Sequence, residues 1–312
     1  MESVNYTSVR EFLLLGLMED PQWNLLFFCI FLTMYIVTVL GNMFMMILIC
    51  FSSKLQNPMY FFLGHLSFSD LCFSSVITPK LLHNLFSNQM AISFNGCATQ
   101  LFFFGLFVGA ECFHVTVMAY DRYVAICNPL LYLLIMSRSL RLVLVGAAYT
   151  GGLLTSIIHT TCTFHLSFCK SNKVNHFFCD IPPLLQLSCS DTFMSELFTF
   201  LLSSVLGSFS AIVIATSYAK IISSILRMKS SKGRQKAFST CSSHLTVVAL
   251  FFGTAIFMYA RPISSYSVQK DKVISLVYTV VIPMLNPIIY SLRNTQVKDA
   301  FINVLYRILV FK

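Results

Sequence analysis

Apolar and polar positions alternate along this 312-residue chain on a long scale. Runs of mostly apolar residues are separated by short polar stretches. A helix rises about 1.5 Å per residue, so roughly 20 apolar residues cross the hydrocarbon core of a bilayer. Seven segments meet that requirement: 25–50, 58–82, 98–120, 142–164, 197–219, 237–260 and 273–292. The first, fourth, fifth, sixth and seventh contain no Asp, Glu, Lys or Arg, the second has one acid, Asp70, and the third has one, Glu111. The pattern predicts an all-α membrane protein, a seven-helix bundle over 25–292, with an N-terminal segment 1–24 and a tail 293–312. Seven helices buried in a soluble protein would need far more polar covering surface than this chain has.

Composition agrees. Hydrophobic residues make up 56% and charged residues 11%, against about 25% charged in a typical soluble domain. The net charge of +9 would suggest nucleic acid for a soluble chain. Here the basic residues lie between apolar runs, so lipid is the expected surroundings and nucleic acid is not an expected partner. The first 24 residues are mixed and acidic, unlike a cleaved leader, and the first span is expected to act as the insertion signal.

An odd number of spans puts the termini on opposite sides, and Lys and Arg choose the sides. One set of loops and the tail carry Lys54, Arg122, Arg138, Arg141, Lys220, Arg227, Lys229, Lys232, Arg234, Lys236, Arg293, Lys298, Arg307 and Lys312. The other side has Arg10, Lys80, Lys170, Lys173, Arg261, Lys270 and Lys272. Fourteen against seven predicts a cytoplasmic C-terminus and an extracellular N-terminus. The Asn5-Tyr6-Thr7 glycosylation acceptor falls on the outer side. Cys97, Cys169, Cys179 and Cys189 also fall there, where thiols oxidise, and read as two disulfides with three pairings open.

Ionisable residues inside spans are functional candidates. Asp70 and Glu111, with Asn42 and Asn286 at similar depth, form a candidate site for a cation or a shared proton. Asp121-Arg122 at the inner end of the third span is a candidate ion pair that a conformational change would break. Pro287 interrupts the seventh span and removes a backbone hydrogen bond, as a hinge would. No Gly-x-Ser-x-Gly, Gly-x-x-x-x-Gly-Lys-Ser/Thr or His-Glu-x-x-His motif is present, so an enzyme is not expected. His176-Phe177-Phe178-Cys179-Asp180 has the look of a metal site, but Cys179 is expected in a disulfide, which removes the thiolate.

Five extended motifs then carry a resemblance. They are Pro58-Met59-Tyr60-Phe61-Phe62-Leu63, Met118 through Cys127 (MAYDRYVAIC), Ser217-Tyr218, Lys236 through Leu245 (KAFSTCSSHL) and Pro283 through Tyr290 (PMLNPIIY). In this order, on these spans, the chain resembles an olfactory receptor of the rhodopsin-like G-protein-coupled class, over nearly its whole length.

The resemblance implies a rhodopsin-like bundle with a short cytoplasmic C-terminal helix. It implies disulfides Cys97–Cys179 and Cys169–Cys189, and Arg122 as a switch arginine restrained by Asp121. Tyr218 and Tyr290 would move inward on activation, with Asn286 and Pro287 part of the same switch. Asn42, Asp70 and Glu111 would form the midplane polar site, with sodium as the candidate ion. The ligand would lie among Phe104, Gly105, Val108, Cys112, Leu202, Ser203, Leu206, Phe252, Ala255, Ile256, Tyr259 and Thr279.

That lining is apolar with a few hydroxyls. Phe104 stands where amine receptors of this fold place an acid, so a charged amine would be desolvated without a partner. The expected ligand is a small, volatile, mostly uncharged odorant. The expected partner is a heterotrimeric G protein of the stimulatory olfactory type, raising cyclic AMP, and the expected place is the plasma membrane of olfactory cilia. Two residues depart from the family pattern. Tyr149 replaces a usual tryptophan, and Phe252 a frequent tyrosine. A transporter or channel is the competing class, but neither internal repeats nor paired broken helices are seen.

Overall fold

A computed structural model describes residues 9–17, 21–87, 89–169, 171–228, 230–259, 268–292, 297–300 and 302. The side chains at 21, 232, 236, 239, 259, 268 and 292 are outside that description. Asn5 and the Tyr259 side chain therefore lie outside the described residues.

Among the described residues, seven helices are long and apolar enough to cross a membrane. They are α1 (Asn24–Phe51), α2 (Pro58–Ser87), α3 (Phe94–Cys127), α5 (Arg138–Phe164), α7 (Phe193–Arg227), α8 (Ser231–Tyr259) and a composite seventh span. That last span is α9 (Val268–Leu276), a π-helical turn (Val277–Val281) and α10 (Ile282–Leu292). Short helices α4 (Tyr132–Ile135) and α6 (Ile181–Leu185) lie in loops. Residues 297–300 of the tail are helical, and Val297 and Ala300 are buried against the bundle.

Most helices run past the apolar segments that predict them, α3 and α7 by several residues at both ends. Backbone hydrogen bonding continues where lipid gives way to water, while hydropathy registers only the lipid. Local caps mark the true starts. The Ser93 hydroxyl accepts the Gly96 N–H at 3.1 Å, opening α3, and the Ser137 hydroxyl accepts that of Leu140, opening α5.

The bundle's polarity is inverted relative to a soluble fold. Leu25, Leu40 and Ile47 of α1 and Val205, Ile212 and Leu226 of α7 are exposed, while Asn42, Asp70, Glu111, His114, Asp121, Arg122, His244 and Asn286 are buried. Only a hydrocarbon solvent makes that arrangement favourable. Between helices, small residues permit close approach. A methyl group built on Gly109 of α3 would stand 2.8 Å from Gly152 Cα of α5.

One end of the bundle (the outer end below) carries the N-terminal strand β1 (Glu11–Leu14). It lies between β2 (Ala91–Ser93) and β3 (Lys173–Val174), antiparallel to β2 with Glu11 opposite Ser93, and parallel to β3 with Leu14 opposite Val174. Phe12 and Leu14 are fully buried beneath this sheet. The Phe12 ring meets Phe168 edge-on at 5.3 Å. Cys97–Cys179 ties α3 to the loop between α5 and α7, and Cys169–Cys189 closes that loop on itself.

Candidate functional site

The outer core gathers side chains from α2, α3, the seventh span and the long loop. Phe104 is its centre, with Phe178 at 5.2 Å, Phe73 at 5.6 Å and Tyr278 at 6.1 Å between ring centroids. Val108, one turn below Phe104, packs on the same core. Cys112 lies deeper, its Sγ 3.4 Å from Ser210 Oγ of α7. Leu202, Ser203 and Leu206 are half-buried on α7, as are Phe252 and Ala255 on α8.

Other residues of the expected lining are placed elsewhere. Gly105 faces α5, where an added Cβ would stand 3.2 Å from Ser156 Oγ. Ile256 is 63% exposed on the outside of the bundle. Thr279 is buried, but its hydroxyl is committed to its own helix, donating to the Ser275 carbonyl at 2.6 Å. The neighbouring Tyr278 occupies the site instead. A π turn holds an extra residue, and α-helical spacing in the sequence does not anticipate it. Phe73 and Phe178 were likewise missed, because contacts between a helix and a loop leave no periodic signal.

Asp180 sits beside this aromatic group. Its carboxylate accepts from the Ile181 N–H at 2.8 Å, capping α6, and from the Tyr278 hydroxyl at 3.4 Å. His176 is fully buried in the same loop, its ring stacked on Phe177 at 4.7 Å. Neither ring nitrogen has a hydrogen-bond partner among the described residues. Burial, with the nearby Lys272 charge, holds its pKa down to about 3, so the ring is neutral. Cys179 is spent in its disulfide and offers no thiolate to a metal.

At the midplane, both Asp70 carboxylate oxygens lie 3.0 Å from Asn286 Nδ2. Asp70 and Glu111 are both buried in the bundle. Asn42 Nδ2 donates to the Thr38 and Pro283 carbonyls, each at 3.0 Å, bridging α1 to the seventh span. Asn42 Oδ1, Glu111 Oε1 and Asn286 Oδ1 are buried without a hydrogen-bond partner among the described residues. Buried oxygens of this kind are the ligand type that a hard cation takes. Pro287 packs on Gly41, where an added Cβ would stand 3.1 Å from its Cγ.

At the inner end, Asp121 and Arg122 are buried side by side in sequence, yet their hydrogen bonds run elsewhere. Tyr132 of α4 donates to Asp121 Oδ1 at 2.9 Å, and Arg122 reaches Met59 Sδ at 3.6 Å. Burial first, and the Asp121 charge second, push the Tyr132 pKa up, so its hydroxyl keeps its proton. Tyr218 Oη lies 2.7 Å from His244 Nδ1, and His244 Nε2 lies 3.1 Å from the Val115 carbonyl. That chain joins α7, α8 and α3. Tyr290 is buried with its hydroxyl unpartnered among the described residues. His244 ends the Ser242-Ser243-His244 stretch of a recognised motif, but its partner on α3 is a backbone carbonyl that no motif marks.

The comparisons with known proteins agree with this architecture. The olfactory receptor family model matches residues 28–308. Olfactory receptor 5AP2 of Mus musculus is 52% identical over 310 residues, covering 99% of this chain and 98% of the relative. Olfactory receptor 9I1 of Homo sapiens is 53% identical over 310 residues, covering 99% of each. Olfactory receptor 5AR1 of Homo sapiens is 52% identical over 301 residues, covering 96% of this chain and 97% of the relative. Seven spanning helices and these matches make the chain a multi-pass membrane protein, not an enzyme, and it belongs to the olfactory receptor family.

Proposed function

We propose that this chain binds small, mostly uncharged volatile odorants in the outer core and activates a stimulatory, olfactory-type heterotrimeric G protein, raising cyclic AMP. The observation that carries the ligand chemistry is the group around Phe104. Its neighbours Phe73, Phe178 and Tyr278 are aromatic, and the nearby Asp180 carboxylate is engaged by Ile181 and Tyr278. An apolar molecule gains contact area there, whereas a cation entering would be desolvated. Recognition is by shape with a small number of hydrogen bonds.

The inner end supplies the switch. Arg122 is buried and, among the described residues, its one side-chain hydrogen bond is to a thioether, a weak acceptor, so moving it towards a G protein breaks little. The chain sits in the plasma membrane of olfactory cilia with the sheet end outside. Asn5 is glycosylated there, and the basic end meets the cytoplasm. Sodium is the candidate ion for Asn42, Asp70 and Glu111, in competition with the shared proton. A broad odorant panel against cyclic AMP in transfected cells tests the reading. Arg122→Ala is expected to abolish the response of any active odorant at unchanged surface expression. Ion or solute flux without cyclic AMP would instead favour a transporter.

A further inference from the structure

One side of the bundle turns a continuous run of rings from α2, α3 and α5 towards lipid. Phe61 and His65 of α2 meet at 4.9 Å between ring centroids, and His65 meets Tyr149 of α5 at 6.0 Å. Tyr149 meets Phe68 at 6.4 Å, Phe68 meets Phe107 of α3 at 6.5 Å, and Phe107 meets Phe103 at 6.5 Å. His114 backs the run from inside the bundle, its ring 5.0 Å from Tyr149 and 6.1 Å from His65. Phe68 and Phe103 are exposed, while Phe61, His65, Phe107 and Tyr149 are half-buried. Gly146, a near neighbour of Tyr149 on the surface of α5, leaves an open notch, since a methyl group built there would meet nothing within 4 Å. At the inner end of the run stands Arg141, its guanidinium carbon 5.3 Å from the Phe61 ring centroid. Arg141 Nε has no hydrogen-bond partner among the described residues. Asp121 lies near enough to feel the Arg141 charge, but its carboxylate accepts from Tyr132. Arg138, one turn earlier on α5, is exposed.

We propose that this face binds an anionic phospholipid, with its phosphate at Arg141 and Arg138 and one acyl chain laid along the rings. The charge decides between occupants. A guanidinium lying over a ring keeps its planar edge for donation, and that edge suits a phosphate in bidentate contact. A sterol would offer the same cation a single neutral hydroxyl. Basic residues at the ends of membrane helices attract anionic headgroups. The length fits as well. From Phe61 to Phe68 α2 climbs roughly 10 Å, and from Phe107 to Phe103 α3 adds roughly 6 Å. That sum is about half of the roughly 30 Å hydrocarbon core, the depth one acyl chain spans. A lipid seated there touches both α2 and α5 and stabilises the folded bundle by mass action.

The test is native mass spectrometry of the purified, full-length receptor with phosphatidylserine and phosphatidylcholine of the same chain composition in equal amounts. The wild type should retain phosphatidylserine several-fold more often than phosphatidylcholine. Arg141→Gln should abolish that preference, whereas Arg227→Gln, at an exposed cation near the inner end of α7, should keep it. Equal retention of the two lipids by the wild type overturns the proposal. So does a preference that survives Arg141→Gln, or one that both variants lose alike, which would reflect net charge only. Cholesterol retained in place of phosphatidylserine would mean a sterol site and overturns it too. If Arg141→Gln fails to fold, a phosphatidylserine with a photoreactive diazirine in its acyl chain decides on the wild type. Labels concentrated between Phe61 and Phe68 and between Leu142 and Tyr149 support the site, and labels spread evenly over α1 and α7 refute it.

Discussion

The outer and inner ends of the bundle are built from different bonds. The outer end is stapled by two disulfides, a three-stranded sheet and a continuous aromatic core running from Phe12 to Tyr278. The inner end has no covalent tie among the described residues. Its helices pack over apolar clusters around Tyr60, Met118 and Ile221 and are joined by single hydrogen bonds: Tyr132 to Asp121, Tyr218 to His244, His244 to Val115. Buried polar atoms at Arg122 Nε and Tyr290 Oη have no hydrogen-bond partner among the described residues. A disulfide cannot be exchanged without chemistry, while a hydrogen bond can be exchanged for another at small net cost. The difference suits an end that recognises and an end that switches.

The contrast breaks most visibly at the disulfide. Cys97→Ser should cost about 2–5 kcal/mol and abolish surface expression, measured by antibody staining of intact cells. Normal expression would mean that the outer core holds without its staple. Next, Tyr218→Phe keeps the packing but leaves His244 Nδ1 without its partner, at about 1–3 kcal/mol. Surface expression should persist while basal cyclic AMP changes, and a loss of expression with no change in signalling per receptor would show that the inner contacts are structural.

His176 gives the outer end a pH dependence. Its pKa is lowered from 6.5 to about 3, so the folded state binds fewer protons than the unfolded state. The stability from neutral burial is complete above about pH 6.5 and falls as acid is added, by about 1.4 kcal/mol at pH 5.5. A melting temperature that falls between pH 7.5 and 5.5, and falls less in His176→Phe, is expected. The smallest effect is at Tyr132→Phe, which frees Asp121 from one hydrogen bond worth about 0.5–1.5 kcal/mol. Basal signalling should rise modestly, with ligand potency unchanged in a dose–response series.

How much of this was legible without coordinates differs by residue. The seven spans were, because lipid penalises charge strongly and over many residues at once. Asp70, Glu111 and Asn286 were, because a polar residue in an apolar run stands out. Tyr278 was not. Position-by-position reading chose Thr279, and the π turn that presents Tyr278 has no residue pattern of its own. The sheet was also hidden, since strands of two to four residues are too short for an alternating pattern to register. His114 and Tyr149 could be noticed one at a time, but nothing in a linear chain says that their rings meet.

By itself, then, the sequence determined that this chain lives in a membrane, how many times it crosses and which family's motifs it carries, since those follow from local composition and order. The tertiary structure alone decided which oxygen Arg122 forgoes, which of two neighbouring residues faces Phe104, and which histidines stand together. Those are matters of helix rotation and pairing, set by packing between segments distant in the chain, and hydrophobic patterning constrains a helix's burial far more tightly than its exact neighbours.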